Sequence, residues 1–316
     1  VYGFFCLLAS LGMGGMVQSN GAVQTLKFTF GVPAAVGTLA VGGLTVAVLA
    51  GGKERIMRVT ERLIPLASTV YVVCAGVVIL ASYERIPMVL AEVFRYALLP
   101  RSVAGGVGGY GIRQAVRYGI ARGVFSNEAG LGSLAGLHGE AKEEKHLDVN
   151  GAGDQCGYGT EEIQGMWAIF EVFFDTIVIC TLTALVILCV GRESALTVGG
   201  RVVWPMTAGH AAAESQSLQA GLDGAALTSF CFTKILGRFG GILVSGSMAS
   251  FAFATILGWY YIGRQMFSYL AERLCSGADA EYFYTILYLL AVWLGCVCRL
   301  DLVWIVSDLV NCLMAY

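Results

Sequence analysis

The sequence predicts an all-α polytopic membrane protein, and three observations predict it. Hydrophobic residues make up 57% of the 316-residue chain and charged residues 13%, against about 25% charged in a soluble domain. Mean hydropathy is +0.71, and the apolar residues fall into runs near the roughly 20 residues that a spanning helix needs. Glycine is abundant and proline scarce, 42 against 5, which suits helices packed closely in lipid, where small residues let backbones approach.

Taken in order, a first apolar segment covers about residues 1–28, interrupted by Gln18-Ser19-Asn20. The second covers about 33–50 and ends at Gly51-Gly52. A short basic stretch, 53–62, reads as a loop; its Lys53, Arg55, Arg58 and Arg62 place it on the cytoplasmic side. With these four included, about eight Lys and Arg fall inside and about nine outside, with about three in the fourth segment, so orientation rests on this stretch. The third segment is about 63–82. Residues 86–99, with Glu92 and Arg95 among apolar neighbours, are too short to span and read as an interfacial amphipathic helix.

The fourth segment, about 109–141, carries the feature around which the chain is organised: Arg122-Gly-Val-Phe-Ser-Asn-Glu-Ala-Gly-Leu-Gly-Ser133. Three glycines, two serines, an asparagine and a glutamate interrupt apolar sequence here. The glycines loosen the backbone. Within a bilayer such a break is tolerated where it is buried in protein or lines a cavity, so a broken helix is expected. An aqueous loop over 142–163 follows, then a fifth segment over 165–190. Residues 192–239 read as extramembrane with a short helix. A sixth segment is expected over 240–263, a surface helix over 265–273, a seventh segment over 282–298, and an eighth starting near 302. The whole is one transmembrane domain, 1–316. Both ends fall in apolar sequence, so a chain cut inside membrane segments is expected.

The candidate residues follow from the chemistry of the break. Phe125, Ser126, Asn127, Glu128 and Gly130 are expected to line a small-molecule site, because a broken helix frees amides at one half-helix start and carbonyls at the other half's end. Phe125 can close over a small side chain. Glu128 is an ionisable group at membrane depth, functional by default and usually paired; a basic residue or freed backbone amides are the expected partners, with a ligand ammonium the second reading. Glu171 and Asp175 share one helix face, with Asp175 roughly 15 Å into its segment at about 1.5 Å per residue. They can relay protons or bind a cation, or serve as structural partners of Arg113 or Arg117. No Ser/His/Asp set, phosphate loop or CxxC spacing stands out among ten cysteines and three histidines. Neither an enzyme nor a resident cofactor is expected, and the net charge of −2 speaks against a nucleic-acid partner.

Three stretches carry a resemblance: Gly119-Ile-Ala-Arg-Gly-Val-Phe-Ser-Asn-Glu-Ala-Gly-Leu-Gly-Ser133, the run from Gln164 through Asp175 to Leu188, and Phe251-Ala-Phe-Ala-Thr-Ile-Leu-Gly-Trp-Tyr-Tyr261. Gly15-Met-Val-Gln-Ser-Asn20, Phe30-Gly-Val-Pro33 and Gly51-Gly-Lys-Glu-Arg-Ile56 support them. The chain resembles the sodium:alanine (alanine or glycine:cation) symporter family over nearly its whole length. The resemblance implies a leucine-transporter-like inverted-repeat fold, here partial, with the eight segments as core helices 3 to 10. It implies sodium-coupled symport of a small neutral amino acid, alanine or glycine, across the cell membrane by alternating access. The rival readings are a non-transporting partial chain that binds membrane or partner, and a proton-coupled carrier. By resemblance Gln18 faces the substrate, Trp259 forms a pocket wall and Thr255 offers sodium an oxygen; the family pairs two hydroxyl residues where this chain has Ala254-Thr255. Asp175 is the candidate for ion or proton coupling. The glycine–asparagine break of core helix 1, which supplies the other half of the site, is not expected among these residues.

Overall fold

The computed structural model describes residues 1–98, 119–120, 123, 125–128, 130–138, 160–191, 196–198, 201–203, 224–271, 279–298 and 300–315. The chain opens with α1 (Tyr2–Ala9), a π-helical stretch (Ser10–Val17) and α2 (Gln18–Phe30), which run on as one helix. Gln18-Ser19-Asn20 does not interrupt it. The polar side chains are satisfied sideways: Asn20 Nδ2 donates to the carbonyls of Gly295 and Cys298, both at 2.8 Å, and Gln24 Nε2 donates to Asn20 Oδ1 at 2.6 Å. The irregularity lies one step earlier, in the π-helical turns, a departure common at functional sites.

α3 (Ala34–Leu49) and α4 (Gly52–Ala81) follow. The expected loop 53–62 is helical and continuous with the third segment. The reversal is confined to Gly51 and Gly52, the latter at φ 68°. Glu54 and Arg58 sit one helical turn apart, a spacing that supports helix, and Arg55 Nη1 donates to the carbonyl of Ala47 at 2.8 Å, closing the end of α3. After a 3₁₀ turn at Tyr83–Arg85 comes α5 (Ile86–Leu98), the short amphipathic helix expected there.

α6 (Ser133–His138) resumes the broken stretch. The expected aqueous loop lies outside the described residues up to 159; its last residues, 160–163, are already helix. α7 (Thr160–Phe173), a second π-helical stretch (Phe174–Cys180) and α8 (Thr181–Gly191) form the fifth segment. A small hairpin pairs β1 (Leu196–Val198) with β2 (Arg201–Val203), Leu196 opposite Val203.

The longest element, α9 (Gly224–Ala271), breaks at Gly237, φ 68° and ψ −171°. Its first arm, 224–236, supplies a short helix of the kind expected within 192–239, and it is packed in: Leu227, Cys231 and Phe232 are buried with Tyr71, Val186 and Val244 between α4 and α8. Its far end is no separate surface helix. The helix continues to Ala271 because Phe267 stacks on Tyr284, ring centroids 5.6 Å apart, while Met266 and Leu270 pack beside Gly3. α10 (Asp279–Val297) and α11 (Leu300–Ala315) complete the described chain.

Three of these helices, over 52–81, 162–191 and 227–271, are long and apolar enough to cross a membrane, and 34–49, 281–297 and 303–314 are shorter apolar helices. Leu66, Leu80, Ile169 and Val297 are 66–78% exposed; so much outward apolar surface fits lipid, not water. Packing between helices is correspondingly close. A Cβ at Gly14 would fall 2.1 Å from Trp259 Cβ, and one at Gly295 2.4 Å from Met16 Cα. Ends expected on the same side of the membrane also meet: Lys53 Nζ lies 5.1 Å from the Tyr261 ring, and Arg85 Nη1 donates to the Cys189 carbonyl at 3.1 Å.

Candidate functional site

The break itself is a backbone feature. Residues 125–127 are helical, then φ turns positive at Glu128 (53°), Gly130 (85°) and Gly132 (79°). Glycine adopts such angles freely, whereas positive φ is uncommon for any other residue. Glu128 is held there by its surroundings. The Leu131 amide donates across the turn to the Glu128 carbonyl at 3.1 Å. Tyr2 Oη donates to the Leu131 carbonyl at 2.9 Å, pinning the break to α1.

The Glu128 carboxylate accepts two hydrogen bonds, from Trp259 Nε1 at 2.9 Å and from Ser133 Oγ at 2.7 Å. Its partners are therefore a buried indole and the hydroxyl that opens α6, and neither is the basic residue or freed amide expected. Tertiary packing explains the difference: Gly14 lets α9 approach closely enough to aim Trp259 at the break.

On the opposite wall, Asp175 Oδ2 accepts from Ser126 Oγ at 2.6 Å, with Cys180 Sγ 3.3 Å from the same hydroxyl. Asn127 Nδ2 donates to Thr176 Oγ1 at 3.4 Å. The second π-helical stretch carries Asp175, Thr176 and Cys180, so it presents these three to the break. Glu171, one turn earlier, lies 3.4 Å from His138 Nε2, and His138 Nδ1 is 2.7 Å from Gln164 Oε1. Arg113 and Arg117, considered as partners for Glu171 and Asp175, lie outside the described residues.

Between these walls lies a cavity of about 230 Å³, lined by Ser126, Asn127, Glu128, Leu134, Leu137, Glu171, Val172, Asp175, Thr255, Gly258, Trp259 and Ile262. It is smaller than the roughly 300–1,000 Å³ of drug-sized sites, a scale suited to a small solute. Of the expected residues, the structure brings together Ser126, Asn127, Glu128, Asp175, Thr255 and Trp259. Three do not line the cavity. Phe125 packs on Trp304, ring centroids 4.8 Å apart. Gly130 is exposed, and Gln18 is half-buried on α2. Thr255 Oγ1 donates to the Phe251 carbonyl at 2.9 Å, which leaves its lone pairs as acceptors. Among the described residues no group of three His, Cys, Asp or Glu side chains is arranged for a metal ion.

Sequence reasoning missed Tyr2, Cys180 and Ile262. Nothing local marks Tyr2, whose partner is 129 residues away. Ser133 had a signal, a hydroxyl residue where helix resumes after glycines.

A family model described as the sodium:alanine symporter family matches residues 1–316. An uncharacterized transporter of Haemophilus influenzae is 30% identical over 316 residues, 99% of this chain and 59% of its own. A sodium/alanine symporter, AgcS, of Methanococcus maripaludis is 31% identical over 315 residues, again 99% and 59%. A sodium/proton-dependent alanine carrier protein of Bacillus sp. strain PS3 is 26% identical over 299 residues, 93% of this chain and 59% of its own. The chain thus spans about 59% of the length of each of these relatives.

Proposed function

The chain belongs to the sodium:alanine symporter family, a family of integral membrane transporters and not of enzymes, and from that premise we propose that it takes part in sodium-coupled symport of a small neutral amino acid, alanine or glycine, across the cell membrane. The observation that carries the reading is the cavity of about 230 Å³ where Ser126, Asn127 and Glu128 of the break face Thr255 and Trp259 of α9. A zwitterion needs acceptors for its ammonium and donors for its carboxylate. The carboxylates of Glu128 and Asp175 supply the first, and the Asn127 amide and freed backbone amides of the break supply the second. Thr255 offers sodium an oxygen at the same wall. Sodium and amino acid each favour an occluded state, and their joint preference couples the two fluxes.

Uptake of labelled alanine by the full-length protein in proteoliposomes, with and without an inward sodium gradient, tests this. Uptake that rises with the gradient is expected; equal uptake in both conditions overturns the sodium assignment. A second reading, proton coupling, draws support from Asp175 and Glu128 lining one cavity. It predicts uptake driven by a pH gradient in sodium-free medium.

A further inference from the structure

α11 carries two polar oxygens that the site above does not use. Ser307 Oγ and Asn311 Oδ1 are buried and have no hydrogen-bond partner among the described residues; Ser307 is 0% and Asn311 8% exposed. Leaving a buried polar atom unpaired is costly, so two at one place call for an explanation. They lie four residues apart, and therefore one above the other on one helix face.

Ser307 also behaves unlike other helical hydroxyls of this chain. Thr25, Thr38, Thr45, Ser68, Ser247 and Ser250 each donate to the carbonyl four residues back, the usual local solution. Ser307 instead faces the first π-helical stretch. A Cβ at Gly12 would stand 3.6 Å from Ser307 Oγ and 3.9 Å from Val306 Cγ1. With glycine at 12, the room for one methyl-sized atom lies beside that hydroxyl. The backbone carbonyls of this stretch carry a second lone pair each, and its turns depart from the regular α ladder.

We infer that Ser307, which faces Gly12, and Asn311, one turn further along the same helix face, form a second cation site that takes a sodium ion between α11 and the π-helical stretch, apart from Thr255. Neutral oxygens suit it. A hard cation takes oxygen ligands, and a divalent ion would call for carboxylates; Asp308, next in sequence, already has an interaction of its own. The face continues towards the broken helix, because Trp304, one turn before Ser307, packs on Phe125 with its ring tilted. An ion here therefore braces the stretch that also packs on Trp259 through Gly14.

Thermal melting of the full-length protein in detergent tests the site, with sodium chloride titrated against choline chloride at constant ionic strength. The variants are Ser307→Ala, Gly12→Ala and Thr255→Ala. Sodium raises the wild-type melting temperature by mass action. Ser307→Ala and Gly12→Ala each remove about half of that rise, as loss of one of two sites would. Thr255→Ala with Ser307→Ala removes the rest. In uptake, the Hill slope for sodium, bounded by the number of sites, falls towards one in Ser307→Ala. A Ser307→Ala protein whose melting temperature is offset from wild type by the same amount in both salts, so that the full sodium response remains, overturns the site and leaves a water-bridged pair. The inference stands apart from the coupling reading. If Thr255→Ala alone abolishes the response, only this site falls; if wild-type protein ignores sodium altogether, both fall.

Discussion

Glu128 sits where three separate parts of the chain meet. Its backbone forms the break, one carboxylate oxygen holds Ser133 and the other holds Trp259 from α9. Hydrogen bonds to a charged group are worth about 1.5–3 kcal/mol each. Replacing Glu128 by Gln keeps the size and removes the charge, and its amide nitrogen then faces a donor. Uptake of labelled alanine by Glu128→Gln is expected to fall below a tenth of wild type; near-normal uptake removes Glu128 from the site. Trp259→Phe keeps a ring in the buried slot but deletes the indole donor. The loss corresponds to roughly tenfold to a hundredfold in alanine affinity, measured as a rise in the KM for uptake. An unchanged KM would mean that Trp259 serves packing only.

Helices here are shaped by where they depart from regularity. Two π-helical stretches, at Ser10–Val17 and Phe174–Cys180, flank the cavity's two sides. The first brings Gly14 against Trp259; the second presents Asp175 to Ser126. A break of another kind divides α9 at Gly237, whose φ of 68° and ψ of −171° fall in a region that is essentially glycine-only. It lets the arm 224–236 fold back into the core beside α4 instead of running on. Gly237→Ala places a side chain in that region at a cost of order 1–3 kcal/mol. A lower melting temperature of the full-length protein in detergent is expected, and an unchanged one would show that the turn relaxes to accept alanine.

Across the whole molecule, alternation of segments places the ends. Lys53 meets Tyr261 at one end of the bundle, while Arg85 meets Cys189 at the other. With the basic start of α4 on the cytoplasmic side, membrane-impermeant thiol reagents should label Lys53→Cys and Arg62→Cys from the cytoplasmic face, and Tyr83→Cys from the opposite face. All three positions are exposed. Labelling of Arg62→Cys and Tyr83→Cys from one face would contradict the alternation, because α4 would not then cross.

Most helices were legible because their causes are local. Apolar runs, Gly51-Gly52 and the glycine–polar stretch at 122–133 announce spans, a reversal and a break from composition alone. The errors fell where two local signals compete. Basic residues at 53–62 suggested a loop, yet the Glu54–Arg58 spacing and the tie from Arg55 to α3 make a helix. The mixed composition of 192–239 announced a short helix but not its burial, because Leu227, Cys231 and Phe232 sit among polar neighbours.

By itself the sequence determined a polytopic helical membrane protein of the symporter family with a break within 122–133, since hydropathy and glycine's backbone freedom act residue by residue. Only the tertiary structure decided which side chains meet there. Glu128 finds Trp259 from 131 residues away, and Ser126 finds Asp175 from 49. Such pairs depend on how closely helices pack and on where a π-helical turn rotates a side chain. No sequence period records either, and for that reason Phe125 and Gln18, expected at the cavity, do not line it.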